Sequence, residues 1–520
     1  MREKMTRRSL VVFLSLIVLL VFTACGDSNK TMKQDAMVHS ENDPIVIASA
    51  RDVGRGNKDP YWTNLNLYVW EPLIGENDAG EIIPVLAVSW KRSDDAKKWT
   101  FELRKGVKFT DGTLFTSDVV VKNFERWKKI SPASSTFFTL DINKTYPDFL
   151  QINALSDYSF ELIFDKPIPM LPYAMLNWGS PMVSPLCFDE DSGIFNKPVV
   201  GTGQFKIVEH QPNAFTMLEC NDDYWGVKAK TKYIKIRMIP EHDTRIAALR
   251  SGEIQGVYDN KAIQPLACKE LEKEGFNISS KLSANIHYLQ VNNGKFPFND
   301  VRMKQAISLA VDRETLLNQV YGGYGKLSNN VLSPFSQFHY DTMVPRDIKR
   351  AKELAAEVLK GKTIDISLIT VEQYSVDAQL IAENLKEIGL NIHIEIMDYP
   401  SQKERRKSGQ YDMVISFRGM DNANPETMLY SFMGKDGKDN LNYGLNFSDD
   451  EISELLDILN KTYEEENRNE LYKKIQILSS EKLPIITLFG VDTTVASSPD
   501  IEGYEAKWTG VTLFDTHWKK

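Results

Sequence analysis

The side chains that could carry covalent or metal chemistry are few in this chain, and they are poorly spaced for it. Cysteines stand at 25, 187, 220 and 268, with no CxxC pair and no metal-ligand spacing to a histidine. The seven histidines are isolated, and neither HExxH nor His-x-His occurs. A dedicated zinc or copper site needs a cluster of His, Cys or carboxylate, so none is expected. There is no GxSxG elbow and no Walker loop. Gly201-Thr202-Gly203 lacks the third glycine and the following helix of a dinucleotide site. The neighbouring pairs Asp94-Asp95 and Asp449-Asp450 fall on turns and read as solvated, while paired glycosidase carboxylates need a cleft around them. The expectation is a protein that is not an enzyme and that holds no metal and no cofactor.

Cys25 is the exception. Arg2, Lys4, Arg7 and Arg8 precede "SLVVFLSLIVLLVF", an apolar run of 14 residues with two serines. That is the layout of a secretory signal, and it is short for a bilayer span, which takes about 20 apolar residues. Thr23 and Ala24 before Cys25 resemble the bacterial lipobox, in which the cysteine is lipidated and becomes the new N-terminus. Residues 1–24 are then a signal peptide and 25–43, polar and poor in apolar residues, a flexible tether. The alternative is an uncleaved anchor helix with an incidental cysteine. One lipid chain holds a protein only marginally, so two or more are expected. Cys187, Cys220 and Cys268 leave open one disulfide plus a free thiol, or three buried thiols; the preference of cysteine for interiors favours the second.

These features sit on a chain of 520 residues, 26% charged and 42% hydrophobic, long enough for two or three domains. The net charge of −9 suggests no nucleic-acid partner, and the basic stretch "KERRKSGQ" (403–410) reads as a solvated helix end. No later apolar run approaches 18 residues. "PIVIASA" (44–50), "YIKIRMIP" (233–240) and "IDISLIT" (364–370) read as strands. "DPYWTNLNLYVWEPLI" (59–74) has helix-like spacing. Trp99, Phe101 and Leu103 alternate, Asp111-Gly112 marks a turn, and Thr116-Ser117-Asp118 caps a helix through Phe124 and Trp127. "VDAQLIAENLKEIGL" (376–390) is a helix closed by Gly389, followed by the strand "NIHIEIMDY" (391–399). Helix–strand alternation argues for an α/β fold. Trp90, Trp99 and Trp225 read as packing residues. Asn424 and Pro425 read as the cap and first residue of a helix.

The run from Val69 to Glu125 resembles the signature region of the peptide/nickel class (family 5) of solute-binding proteins, which serve ATP-driven importers. The matching elements are Tyr68 to Pro72, Pro84-Val85-Leu86-Ala87, Ser89-Trp90, Trp99-Thr100-Phe101 and Asp111-Gly112. "VGTGQFKI" (200–207) resembles the family's GTG(P)F turn, with Gln204 where proline is usual. "NDDYWG" (221–226), "NDVRMKQAISLAVDRETLLNQVYGG" (299–323), "GLNIHIEIMDY" and "SGQYDMVI" (408–415) match further segments in order. The resemblance implies an α/β, two-lobed periplasmic-binding-protein-like fold, type II, with a hinge of two crossing strands. Lobe I would comprise 44–284 plus 488–520 and lobe II 285–487, with crossings near "HYLQVNN" (287–293) and "LPIITLFGV" (483–491). It also implies a monomer, lipid-anchored on the extracytoplasmic face of the cell membrane, that closes on its ligand and passes it to permease and ATPase subunits.

The cargo implied is a short peptide. In the resembling peptide receptors an aspartate four residues before a proline pairs with the peptide α-amino group; here Asp421 precedes Pro425 in "DNANP". A buried ammonium needs such a carboxylate; the alternative is that Asp421 only shapes the turn. One nickel type uses a histidine at the position of Ser416 and an arginine in the segment matching "LNWGSPMVSP" (176–185). This chain has neither, although a metal carried by another small chelator stays open. By position, Tyr61, Trp62, Asn64, Asn177 and Trp178 are cleft candidates, and Arg418 could meet a carboxylate bidentately. For Trp62 and Trp178 the alternative is packing, and for Arg418 a surface ion pair. A surface sensor or adhesin on the same fold is a further reading.

Overall fold

The computed structural model describes residues 40, 42–53, 67–77, 80–131, 133–134, 139–140, 142–176, 181–257, 263–419, 424–508 and 510–520. The chain divides into two units, Met1–Ser40 and Glu41–Lys520. The first 39 residues, Cys25 among them, lie outside the described residues. The sheets and helices belong to the second unit.

Runs rich in Ile and Val become parallel strands, and the first of them is buried on both faces. Ile45–Ser49 is buried at four of its five positions and pairs in parallel with Tyr233–Met238 and Gly256–Val257. Ile364–Thr370 pairs in parallel with Leu390–Ile396, and between them runs the helix Ser375–Lys386. Gly389, at φ 84°, turns the chain out of this helix.

These two parallel groups belong to one 11-stranded sheet. From one edge it runs Phe205–Gln211, Phe215–Cys220, Tyr233–Met238, Ile45–Ser49, Gly256–Val257, Ile486–Ser497, Asn277–Val291, Met413–Gly419, Ile364–Thr370 and Leu390–Ile396, and the eleventh strand, Gly325–Leu327, pairs with Ile486–Ser497 off this path. The two longest strands, Asn277–Val291 and Ile486–Ser497, lie side by side in its middle and pair antiparallel from Asn277↔Ser497 to Leu289↔Ile486. Their register shifts between Leu282 and Ile286 and again between His287 and Tyr288.

A separate four-stranded antiparallel sheet is built from Ala87–Arg92, Lys98–Leu103, Ser159–Phe164 and Phe149–Ser156. The helix Ser117–Ile130 covers it with Phe124 and Trp127 buried, against Phe101 and Phe160 stacked at 5.0 Å. Thr116 occupies the cap position of this helix but makes no side-chain cap. Trp99 is buried and donates its indole N–H to the Ile168 carbonyl.

Three local readings are corrected. The helical spacing of 59–74 does not continue past Leu67, the residues before it being outside the described set; Tyr68 takes φ 55°, and beyond Pro72 the chain enters the strand Ile74–Glu76. Asp449 is not a solvated turn residue: its carboxylate caps Asp450–Leu459 at Ile452 N and pairs with Lys482 at 3.3 Å. "KERRKSGQ" ends the helix Tyr399–Lys407, yet Arg406 is 2% exposed. The three later cysteines are buried free thiols.

Candidate ligand cleft

Of the residues expected in the cleft, Ser416 and Arg418 lie among the described residues. Tyr61, Trp62, Asn64, Asn177, Trp178 and Asp421 lie outside them. Ser416 and Arg418 are two apart on Met413–Gly419, opposite Tyr288 and Ile286 of the long strand. Ser416 is buried, and its hydroxyl accepts from Arg406 Nη1 at 3.2 Å. Arg406 also donates to Tyr288 and to Gln290 Oε1, and its guanidinium lies 4.3 Å from the Tyr443 ring centroid. Arg418 donates from Nε to Asp439 Oδ2 at 3.1 Å, and the same oxygen accepts from Ser431. The ion pair is therefore largely buried, with 17% of the Arg418 side chain exposed.

Downstream, Asn424 accepts from Glu426 N at 3.0 Å, and Pro425 opens the helix Pro425–Met433, as the residue types predict. Glu426 is held by Arg468 and Tyr472 from Glu465–Lys482.

Elsewhere in the fold the family-like motifs converge on Glu71. Glu71 accepts from Thr202 Oγ1 and Tyr224 Oη, each at 2.7 Å, and from Trp225 Nε1 at 2.8 Å. Burial raises the Glu71 carboxyl above its usual range despite these donors. The Arg104 guanidinium stacks 4.3 Å from the Trp225 ring. Gly203 N donates to Val69 O and Phe205 N to Tyr68 O; a Cβ on Gly203 would lie 2.2 Å from the Tyr68 carbonyl oxygen. Trp225 thus packs and hydrogen-bonds within this cluster.

A cavity of about 360 Å³ opens beside this cluster, lined among others by Tyr68, Trp70, Glu76, Trp225, Lys507 and Trp508. Glu76 sits in it with Oε2 buried and lacking a hydrogen-bond partner among the described residues; the same holds for Trp70 Nε1. The Trp508 side chain lends the Glu76 carboxyl one hydrogen bond, but burial dominates and pushes the group up to about 8. Trp508 stacks on Phe335 at 5.2 Å. Nearby, Gln337 donates to Gly80 O and to the Tyr173 hydroxyl.

Sequence reasoning missed both Glu76 and Arg406. Glu76 stands just before the turn that Gly80 N closes on Asn77 O, and no motif marks it in the sequence. Gln402 and Arg406 form the buried face of their helix, and a face without apolar residues leaves no periodic signal. Among the described residues no group of three or more His, Cys, Asp or Glu could hold a metal ion, and no helix is long and apolar enough to cross a membrane.

The family model for bacterial extracellular solute-binding proteins, family 5, matches residues 81–440, more than half of the chain. The chain belongs to this family. Family 5 relatives include di/tripeptide-binding protein 1 of Pseudomonas aeruginosa, 28% identical, the match covering 79% of this chain and 81% of that relative. The nickel-binding periplasmic protein of Escherichia coli is 25% identical, over 88% and 91% of the two chains. Among solved structures, NikA from Brucella suis in complex with Fe(III)-EDTA has a TM-score of 0.78 at 20% identity, covering 92% of this chain and all of that one. DppA from Helicobacter pylori in complex with the peptide STSA has a TM-score of 0.70 at 24% identity, covering 92% and 98%. The fold is therefore the two-lobed family 5 fold, and the family is one of extracellular solute-binding proteins rather than enzymes.

Proposed function

We propose that this family 5 protein is the receptor of an ATP-driven importer, capturing short peptides between its lobes and delivering them to permease and ATPase subunits. The observation that carries the peptide reading is at the helix entry. Asn424 caps the first turn of Pro425–Met433, so that cap does not call on Asp421, whose carboxylate we assign to the peptide ammonium. The di/tripeptide-binding relative supports the same cargo. Arg418 would share its guanidinium between Asp439 and the peptide carboxylate, with Tyr61, Trp62, Asn64, Asn177 and Trp178 completing the cleft. Cys25 would carry the lipids that hold a monomeric receptor beside its permease.

We place lobe I at 44–284 plus 488–520, lobe II at 285–487, and the hinge in the two long central strands. Their register shifts support this, because a ladder interrupted there bends at less cost. A ligand touching both lobes binds the closed form more tightly and shifts the population toward it.

A nickel or metal-chelate cargo is the second reading, supported by the nickel-binding relative. Against it, Ser416, at the position where a nickel type places histidine, is buried under Arg406. Mass spectrometry of the ligand co-purified with the untagged protein decides between them. Peptides are expected, and stoichiometric nickel with an organic chelator would overturn the reading. Asp421→Asn should weaken peptide binding at least about tenfold, as loss of a charge-assisted hydrogen bond does; unchanged affinity would remove Asp421 from the site.

A further inference from the structure

The cavity beside Glu71 holds features that the Glu71 cluster itself does not require. Glu71 is fully engaged by its three donors, whereas Glu76 keeps one buried oxygen without a partner among the described residues. A buried polar atom without a partner costs about 1–3 kcal/mol. It is retained where something else fills the gap. The surroundings indicate what that is. The carboxyl stands among the aromatic rings of Tyr68, Trp70, Trp225 and Trp508, and negative ring faces around one carboxylate attract weakly hydrated organic cations. A hard metal ion would need six or more oxygen ligands.

We propose that this cavity is a subsite for an organic cation carried by the imported ligand, a guanidinium or alkylammonium group, with Glu76 as its counter-ion and the indoles of Trp70 and Trp508 as its walls. The inference rests on the receptor reading and names a cationic substituent of its cargo. The Trp70 N–H, without a partner among the described residues, serves an acceptor on the same ligand. The stack of Trp508 on Phe335 ties the subsite to the segment that lobe II contributes, so an occupant is sensed where the two lobes meet. The other charged groups lining the cavity are Glu71 and Lys507. The Lys507 ammonium lies 5.8 Å from the ring centroids of Tyr68 and Phe514, and no ion pair among the described residues joins it to Glu76. Burial keeps the empty carboxyl neutral below about 8, so an entering cation displaces its proton and binds more tightly as pH rises toward that value.

The test is a tryptophan-fluorescence titration of the purified protein with n-butylguanidinium and with its uncharged counterpart n-butylurea. Tripeptides that carry arginine or citrulline at each position are titrated in parallel. The wild type should favour guanidinium over urea, and arginine over citrulline at one position, by at least about tenfold. Glu76→Gln should reduce both preferences below about threefold, and Trp508→Leu should lower them as well, each variant first checked for folding by circular dichroism. Peptides that bind without any charge preference, or a preference that both variants leave intact, would overturn the subsite while sparing the receptor. A Glu76-dependent guanidinium preference with no peptide binding would overturn the peptide cargo while sparing the subsite. Binding of neither probe nor peptide would overturn both.

Discussion

Glu71 and Glu76 are both half-buried and line one cavity, and desolvation raises both carboxyls, but their donors differ. Three donors converge on Glu71, while for Glu76 desolvation outweighs its bond from Trp508 and raises the group to about 8 from an ordinary 4.5. That shift gives stability a pH dependence of definite sign. Below about 4.5 both folded and unfolded chains hold the proton, and the stability contribution of Glu76 is complete. Between 4.5 and 8 the unfolded chain releases the proton first, so stability falls as pH rises, and above 8 the loss is complete. The loss is at most about 1.4 kcal/mol per pH unit. Thermal melts of the wild type should therefore decline from about pH 5 to about pH 8 more steeply than those of Glu76→Gln; parallel profiles would show that the carboxyl is not buried in solution. Arg418 carries a second residue-scale lesson. Its residue type predicts a carboxylate partner, and the structure supplies one internally in Asp439.

At the scale of elements, much was legible. The strands at 45–49, 233–238 and 364–370 and the helix that Gly389 closes all follow from periodicity and turn chemistry. Asn424 and Pro425 act as cap and first residue because that preference is local. Thr116 holds its position without capping, which residue type alone does not reveal. The glycines of "VGTGQF" acquire their reason only in three dimensions, where the strand start packs against the carbonyls of Tyr68 and Val69. Gly203→Ala would push a methyl group into the Tyr68 carbonyl, and should cost about 2–4 kcal/mol as overpacking and strain at a special position do. Urea unfolding would measure it; a loss below about 0.5 kcal/mol would mean that the approach is looser than this geometry.

At the scale of the molecule, the two long strands join the halves of one sheet, and both polar and aromatic contacts among the described residues reach between the proposed lobes. Arg92 donates to the Tyr463 carbonyl at 2.6 Å and lies 3.8 Å from Glu464, and Tyr173 packs edge-on to Phe338. In the proposed closing motion such contacts would set the balance between open and closed forms without dominating stability. Arg92→Ala should favour the open form, with a larger radius of gyration in ligand-free X-ray scattering. Ligand affinity should be about two- to fivefold weaker, the scale of a partly exposed ion pair. Unchanged scattering and affinity would place this contact outside the closing surface.

The amino-acid sequence by itself determined the family, the α/β class, most element positions and the packing role of Trp90, Trp99 and Trp225, because these depend on local periodicity, turn chemistry and motifs read in order. It also predicted three buried thiols from a general preference of cysteine, and the three are buried and free. Tertiary structure alone decided which polar groups find partners. Arg406 is buried through a helix face without apolar residues, Asp449 is drawn into a cap and an ion pair, and Glu76 is enclosed by residues from Tyr68 to Trp508. Burial of a charge depends on segments hundreds of residues apart meeting in space, and no local pattern encodes that meeting.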